Sequence, residues 1–368
     1  MELTIGIDGR TFAVPEPGGT VRTGLKLAEG LLTSDLEVKI FGHTDIKNTF
    51  PAEDVYPSGL FTQFRPFGMF WEQTALPIGG SCEDIDVLYS PESYCPLSPT
   101  PFPCVITIHD LSSFHGYSAG WYNTFQQVVT PLMAKRADKI ITVSKYSKKD
   151  IADQLSVSKE KIEVVYNGVD DVFLSDDSPI PELDLPNKYL LYVGSMSTRK
   201  NLTGLLEGYS ILRNKYGLDH KLVLIGPEDD PTNKQILPTI DNAVPENAIV
   251  NPGYVSDAEL KYAYQNADAF VFPSLFEGFG IPPLEAMACR TPVVASNRTA
   301  IPEILGDAAH YINPEKPSDI ADGVVSILND SEYQQTLIDQ GLERVSEFTW
   351  EQASDDLHKM LRDVGDSV

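Results

Sequence analysis

Strand-length apolar runs recur along the whole chain, at residues 3–8, 38–41, 87–90, 104–108, 140–143 and 162–166, then at 189–193, 221–225, 248–250, 269–272, 292–295 and 308–312. Several are separated by segments of helical period. Leu202, Leu205, Leu206, Tyr209 and Leu212 keep the spacing of an amphipathic helix, with Asn201 placed to cap it. Continuous apolar strands that alternate with helices form parallel sheets covered on both faces. The runs fall into two sets of six, so the expected fold class is α/β with two doubly wound, Rossmann-like domains. The length of 368 residues agrees, at roughly 100–200 residues per domain. The expected boundaries are 1–170 for the first domain, a linker at 171–186 rich in Asp and Pro, 187–348 for the second domain, and a last helix at 349–368 that could pack on either.

Composition narrows the class of function. No apolar run approaches the roughly 20 residues that cross a bilayer. The opening Met-Glu-Leu-Thr-Ile-Gly-Ile-Asp reads as a strand rather than a leader, which gives the expectation of a cytoplasmic chain. Acidic residues outnumber basic ones by 53 to 28, a net charge of −25, which argues against a nucleic acid partner. Cys82, Cys95, Cys104 and Cys289 form no C-x-x-C pair, so neither a zinc site nor a disulfide framework is expected.

In doubly wound sheets ligands bind beyond the carboxyl ends of the strands. The run at 269–272 is followed there by Pro273-Ser-Leu-Phe-Glu277-Gly-Phe-Gly280-Ile-Pro-Pro283-Leu-Glu285. Gly278 and Gly280 permit close backbone approach, and Pro282 and Pro283 suit the first turn of a helix. A helix N-terminus offers free N–H groups and a positive dipole end to a phosphate. Glu285, one turn in, could accept from ribose hydroxyls, and Glu277 could hold sugar hydroxyls or stabilise positive charge. The alternative is an ordinary strand-to-helix turn carrying two solvated glutamates. A glycosidase pair is disfavoured. Its carboxyls stand about 5–5.5 Å apart in retaining enzymes, whereas eight positions at the helical rise span about 12 Å.

The string resembles the Glu-x7-Glu motif of the family-four retaining glycosyltransferases, and the resemblance extends over nearly the whole chain. It includes Gly18-Gly19-Thr20, Ser90-Pro91, Thr107-Ile-His109-Asp110, Ile141-Thr-Val-Ser-Lys-Tyr-Ser, Val165-Tyr-Asn167-Gly168, Ser195-Met-Ser-Thr-Arg199-Lys200-Asn201 and Gly253-Tyr-Val-Ser-Asp-Ala-Glu-Leu. It implies the GT-B fold, two Rossmann-like domains facing a central cleft, and a nucleotide-sugar donor used without cofactor or metal. Lys200 beside Arg199 would neutralise the departing diphosphate, a role suited to a basic pair after a strand. Ser195 stands where many members carry Arg, so Arg199 is placed to do that work. Gly278, Phe279, Gly280 and Ile281 would lie along the donor, with Glu285 on its ribose and Glu277 beside the transferred sugar. His109 would contact that sugar from the first domain. Gly18 and Gly19 would let the first loop approach the phosphates, a plain turn being the alternative.

Asp84-Ile-Asp86 has the form of a metal-binding Asp-x-Asp, but it precedes its strand instead of following it. Between residues 135 and 149, Lys135, Arg136, Lys139, Lys145, Lys148 and Lys149 face one acidic residue, Asp138. That local reversal would suit an anionic membrane surface, or simply a solvated helix face. Phe114, Tyr117, Trp121, Tyr122 and Phe125, and separately Phe61, Phe64, Phe67, Phe70 and Trp71, form two aromatic clusters in the half that binds the acceptor in the resembling family. The function expected is therefore retaining transfer of a hexose, mannose from GDP-mannose before UDP-linked glucose or galactose, to a glycan or lipid-linked acceptor. A nucleotide-sugar epimerase would instead alter the donor with no acceptor present. A catalytically silent subunit would bind nucleotide without turnover.

Overall fold

The computed structural model describes residues 3–14, 18–51, 54–57, 65–117, 121–175, 183–226 and 247–367. Contacts divide the chain into two compact units, residues 1–168 with 350–368, and residues 169–349. Each is built around one parallel sheet.

The first sheet takes β1 (Thr4–Asp8), β2 (Glu37–Gly42), β3 (Val55–Pro57), β4 (Val87–Ser90), β5 (Cys104–Thr107), β6 (Lys139–Thr142) and β7 (Ile162–Val164), in the order β3-β2-β1-β4-β5-β6-β7. The sequence marks six of these and misses β3. With three residues ending in Pro57, that strand has no apolar run to read, and it exists by pairing with β2. The second sheet takes β8 (Tyr189–Val193), β9 (Lys221–Ile225), β10 (Ile249–Gly253), β11 (Ala269–Phe272), β12 (Val293–Ser296) and β13 (His310–Ile312), in the order β10-β9-β8-β11-β12-β13. Every strand pair is parallel. The residues of β1, β4, β5, β8 and β11 are buried throughout, as continuous apolar runs covered on two faces require. In each sheet the order reverses at one place, between β1 and β4 in the first and between β8 and β11 in the second. Doubly wound sheets bind ligands at that switch.

The expected linker differs. Asp171–Leu174 forms a short helix of the second unit, with Phe173 buried and set edge-on to the ring of Tyr264 at 6.0 Å. The Val169 N–H also donates to the Phe348 carbonyl at 3.1 Å, so the second unit starts before residue 171. Residues 176–182 of that stretch lie outside the described residues. The last helix, Trp350–Gly365, belongs to the first unit. Its buried Ala353, Leu357, Met360, Leu361 and Val364 share a core with Leu27, Ala28 and Leu31 of the helix Gly19–Leu32. Gly30 is required where the two helices meet, because a Cβ there would come within 2.0 Å of Ser354 Oγ.

Asn201 does not cap by its side chain. It takes a left-handed conformation (φ 58°), and its Nδ2 donates to the carbonyls of Pro273 and Pro314 at 3.2 and 2.7 Å. It ties the turn after β8 to the turn after β11. All four cysteines are free, three of them buried.

Candidate active site

At the switch of the second sheet, the turn after β8 carries Arg199 and Lys200 in the short helix Thr198–Lys200, and the turn after β11 carries Glu277. The Leu275 N–H donates to the Arg199 carbonyl at 2.8 Å and holds the turns together. The three side chains converge. Arg199 Nη1 donates to Glu277 Oε2 at 2.9 Å and to the Phe276 carbonyl at 3.0 Å, and Lys200 Nζ donates to Glu277 Oε1 at 2.6 Å. Lys200 also lies 5.0 Å from the centroid of the Phe272 ring, an added cation–π contact. Glu277 and Lys200 are buried, and Arg199 keeps 24% of its side chain exposed. Burial would raise the pKa of Glu277, but Lys200 first and Arg199 next outweigh it, so the carboxyl is held below its ordinary 4.5.

Both oxygens of Glu277 are engaged by the cations, which ties the three side chains together. Thr299 supports it from the turn after β12, where Oγ1 accepts from the Glu277 N–H at 3.0 Å. Thr299 has φ 56°, a left-handed conformation that a β-branched residue seldom adopts. No pattern in the sequence points to Thr299, since its part depends on a contact between turns.

The helix Ile281–Ala288 follows, with Gly280 as N-cap at φ 110° and Pro282 and Pro283 in its first turn. Glycine is needed at 280 for that conformation. Glu285 is buried, and its Oε2 accepts from the Tyr264 hydroxyl at 2.9 Å. The Phe279 ring is buried edge-on to Phe348 at 5.6 Å. Ser195 is half-buried; its Oγ is 3.2 Å from Ser197 Oγ and its carbonyl accepts from the Tyr192 hydroxyl at 2.7 Å.

In the first unit, a cavity of about 630 Å³ lies beyond the ends of β1, β4 and β5, lined among others by Arg10, Thr20, Glu92, Tyr94, His109 and Asp110. His109 follows β5, with Nε2 3.2 Å from the Pro91 carbonyl. A carbonyl can only accept, so Nε2 carries the proton. Burial lowers the pKa of His109 below 6.5 and keeps the ring neutral near pH 7. Asp110 holds its own loop through Oδ1, which accepts from the Ser112 N–H at 2.8 Å. Gly18 is the N-cap of Gly19–Leu32, and a Cβ at either glycine would meet nothing within 4 Å. The protein's own packing therefore does not demand glycine at 18 or 19.

Sequence reasoning missed a second ionic cluster beside this cavity. Arg10 Nε donates to Glu72 Oε1 at 2.5 Å, and the Arg10 N–H donates to Asp8 Oδ1 at 3.1 Å. Glu72 sits in the helix Arg65–Gln73 with no motif around it. Of the aromatic clusters, Trp71 is buried and Phe70 exposed, whereas Phe61, Phe64, and the side chains of Phe67, Trp121 and Tyr122 lie outside the described residues. Asp86 is structural. Its Oδ2 accepts from the Thr4 N–H at 2.8 Å and fixes β1 against the start of β4.

Comparison with known proteins was decisive for the family. Residues 17–173 match the family model described as Glycosyltransferase Family 4, and residues 175–344 match Glycosyl transferases group 1. The chain belongs to the family-four, group 1 glycosyltransferases. Relatives in this family include the O-antigen chain mannosyltransferase B of Escherichia coli, 33% identical over 225 residues, which cover 58% of this chain and 58% of that protein. The O-antigen chain mannosyltransferase RfbU of Salmonella typhimurium is 31% identical over 210 residues, covering 57% and 56% respectively. The chain thus matches somewhat more than half the length of these relatives. Solved structures agree on the GT-B fold. Sucrose-phosphate synthase of Thermosynechococcus elongatus superposes with a TM-score of 0.78 at 18% identity, covering 100% of both chains. HepE of Anabaena, in complex with UDP and glucose, gives 0.75 at 18% identity, covering 98% of this chain and 100% of that one.

Proposed function

We propose that this glycosyltransferase moves a hexose, mannose from GDP-mannose, to a glycan or lipid-linked acceptor, with retention of anomeric configuration and without a metal. The observation that carries the reading is the Arg199–Lys200–Glu277 cluster at the switch of the second sheet. A preorganised cation pair suits a leaving diphosphate, whose negative charge grows as the sugar departs. Glu285 on its capped helix suits the ribose. Neutral His109, with its tautomer fixed by Pro91, suits a sugar hydroxyl at the acceptor side. Transfer then depends on holding the anomeric carbon against the acceptor hydroxyl while the diphosphate is stabilised. The mannosyltransferase relatives favour GDP-mannose, while the UDP complex of HepE supports a UDP-hexose as the second reading.

Among the described residues no helix is long and apolar enough to cross a membrane. We place the chain in the cytoplasm, at the inner face of the membrane. Support comes from exposed Val128 and Leu132, one turn apart on the helix Trp121–Arg136, which ends in Lys135 and Arg136. Against it, Arg136 meets Asp138, Lys139 meets Glu163 and Lys149 meets Asp153. Sedimentation with anionic but not neutral vesicles tests this; equal partition to both would remove the membrane from the account.

Thermal shift against GDP-mannose, UDP-glucose and UDP-galactose tests the donor. A ligand at 100 times its Kd stabilises the folded state by about 2.7 kcal/mol, so the true donor separates from the rest. Product anomer by NMR, with and without EDTA, then tests retention and metal use. Stabilisation by none of the three donors would overturn the reading. Conversion of the donor sugar without an acceptor would favour an epimerase.

A further inference from the structure

Glu285 is held differently from Glu277. Its Oε2 takes the Tyr264 hydroxyl at 2.9 Å, and Tyr264 comes from another element, the helix Asp257–Gln265. Tyr264 is fully buried. Its ring stands edge-on to Phe270 at 5.4 Å and to Phe173 at 6.0 Å. Its backbone carbonyl accepts from Thr291 Oγ1 at 2.6 Å. Ring and backbone are thus fixed from three sides, and the hydroxyl can point to one place only. Burial, and next the charge of Glu285, push the Tyr264 hydroxyl well above its usual pKa, so it acts as a donor at any working pH.

The last torsion of a glutamate is broad and roughly two-fold, so a carboxylate with no neighbour has no set plane. A hydrogen bond to one oxygen sets it, and a bond to a charged group is among the stronger ones. Glu285 lies in the second turn of a helix whose N-terminus is shaped by Gly280 and Pro282. Both the carboxylate and its donor are on regular elements, which position a group more closely than loops do.

We propose that Tyr264 is a positioning residue for donor recognition: by holding Glu285 Oε2 it turns the carboxylate so that Oε1 accepts from the vicinal hydroxyls of the donor ribose. The proposal rests on the reading of this helix as the nucleotide-sugar site. It assigns to Tyr264 a part of the selection for ribose that the Glu-x7-Glu string alone does not contain.

The test compares binding of GDP and UDP with that of their 2′,3′-dideoxy counterparts by calorimetry, in the intact chain and in Tyr264→Phe. Hydrogen bonds to a charged group justify a preference for ribose on the order of tenfold or more in the wild type. Tyr264→Phe should lose most of that preference, with dideoxy affinity within about twofold of wild type. Glu285→Ala should abolish the preference, and Glu285→Gln, which keeps an oxygen for the Tyr264 hydroxyl, should retain part of it. An equal fall in affinity for both sugars in Tyr264→Phe would mark the hydroxyl as structural support and overturn the proposal. So would an unchanged preference. If the wild type binds the diphosphates without preferring ribose, this proposal fails and the donor reading stands. If it binds neither diphosphate, the donor reading fails and takes this one with it. Should Tyr264→Phe not fold, the Glu285→Gln against Glu285→Ala comparison still decides, because equal loss in both removes any need for a held oxygen.

Discussion

The switch points of the two sheets carry ionic clusters that are opposites in count. In the second unit two cations, Arg199 and Lys200, hold one carboxylate, Glu277. In the first, one cation, Arg10, meets the carboxylates of Asp8 and Glu72 and feels that of Glu92 more weakly. All three carboxylates are buried, with exposures of 6% for Glu277, 4% for Asp8 and 1% for Glu72. Burial alone would raise all three pKa values. Glu277 is nevertheless held low, by Lys200 and then Arg199. Glu72 rises to about 8, through burial first and the charge of Asp8 next, with Arg10 only partly offsetting them. Asp8 is raised as well, again chiefly by burial. The number of cations, not the depth of burial, decides the sign. In one cluster the carboxylate stays ionised between two cations. In the other, both acids are pushed toward their protonated forms.

Breaking the second cluster should have the largest effect. Lys200→Met removes a charge from the proposed leaving-group site and strands part of the Glu277 charge in the interior. Turnover should fall on the order of 10²-fold or more, and stability by about 3 kcal/mol, the low end for a broken buried pair because Arg199 remains. Rates with the confirmed donor and urea unfolding measure the two. A variant that is both active and stable would show that Lys200 is no part of the site.

The next comparison sets Glu277→Gln against Glu72→Gln. The first removes a charge that two cations need, and kcat should drop with a smaller change in donor KM. Glu285→Ala should instead raise the donor KM more than it lowers kcat, because ribose contacts change little on the way to the transition state. The second replaces an acid that burial, and next the charge of Asp8, push toward its neutral form, so stability near pH 7 should change by less than about 1 kcal/mol. A Glu72→Gln variant that unfolds as readily as a broken ion pair would mean that Glu72 is ionised in the native protein.

The pH dependences should run in opposite directions. The folded pKa of Glu72 lies above its ordinary 4.5, so the folded state binds more protons and stability falls as pH rises from 4.5 through about 8. The folded pKa of Glu277 lies below 4.5, so its contribution is complete above 4.5 and fades as the pH falls through the folded value. Urea midpoints across pH 3 to 9 should therefore decline on both sides. Glu72→Gln should flatten the alkaline side alone, by at most about 1.4 kcal/mol per pH unit for one proton. Decline on the same side in both Gln variants would show that the two clusters do not differ as described.

Gly18→Ala should have the smallest effect on stability, within about 0.5 kcal/mol, since φ is −68° and no atom lies within 4 Å of a Cβ there. A raised donor KM in this stable variant would show that the first loop approaches the donor. An unchanged KM would leave Gly18 and Gly19 as an ordinary turn.

What could be read ahead of the structure follows the range of the interactions. Buried parallel strands leave local apolar runs, so among the described residues twelve of thirteen strands are visible in the sequence; β3 exists only through its neighbour. Arg199, Lys200, Glu277 and Glu285 are visible because each sits in a short string at a strand end. That Glu277 holds both cations is not visible, since the partners are 77 and 78 residues apart and meet only when β8 and β11 pair. Arg10 and Glu72, 62 residues apart, and Tyr264 with Glu285, across two helices, are hidden for the same reason. Asn201 shows the opposite error, where a local signal for a cap was overridden by two carbonyls from distant turns.

The most direct measurement of the central claim, that Arg199, Lys200 and Glu277 form the site of the leaving diphosphate, uses the double variant Lys200→Met/Glu277→Gln. Removing Lys200 and Glu277 together strands neither of them, and Arg199 keeps 24% of its side chain exposed to solvent, so unfolding should return to within about 1 kcal/mol of wild type. Turnover with the donor should stay down on the order of 10²-fold or more, because the Lys200 ammonium itself, which Arg199 does not replace in position, is still missing beside the diphosphate. Stability restored without activity is the expected result. A double variant that regains wild-type turnover along with its stability would show that the cluster only holds the fold, and would contradict the assignment.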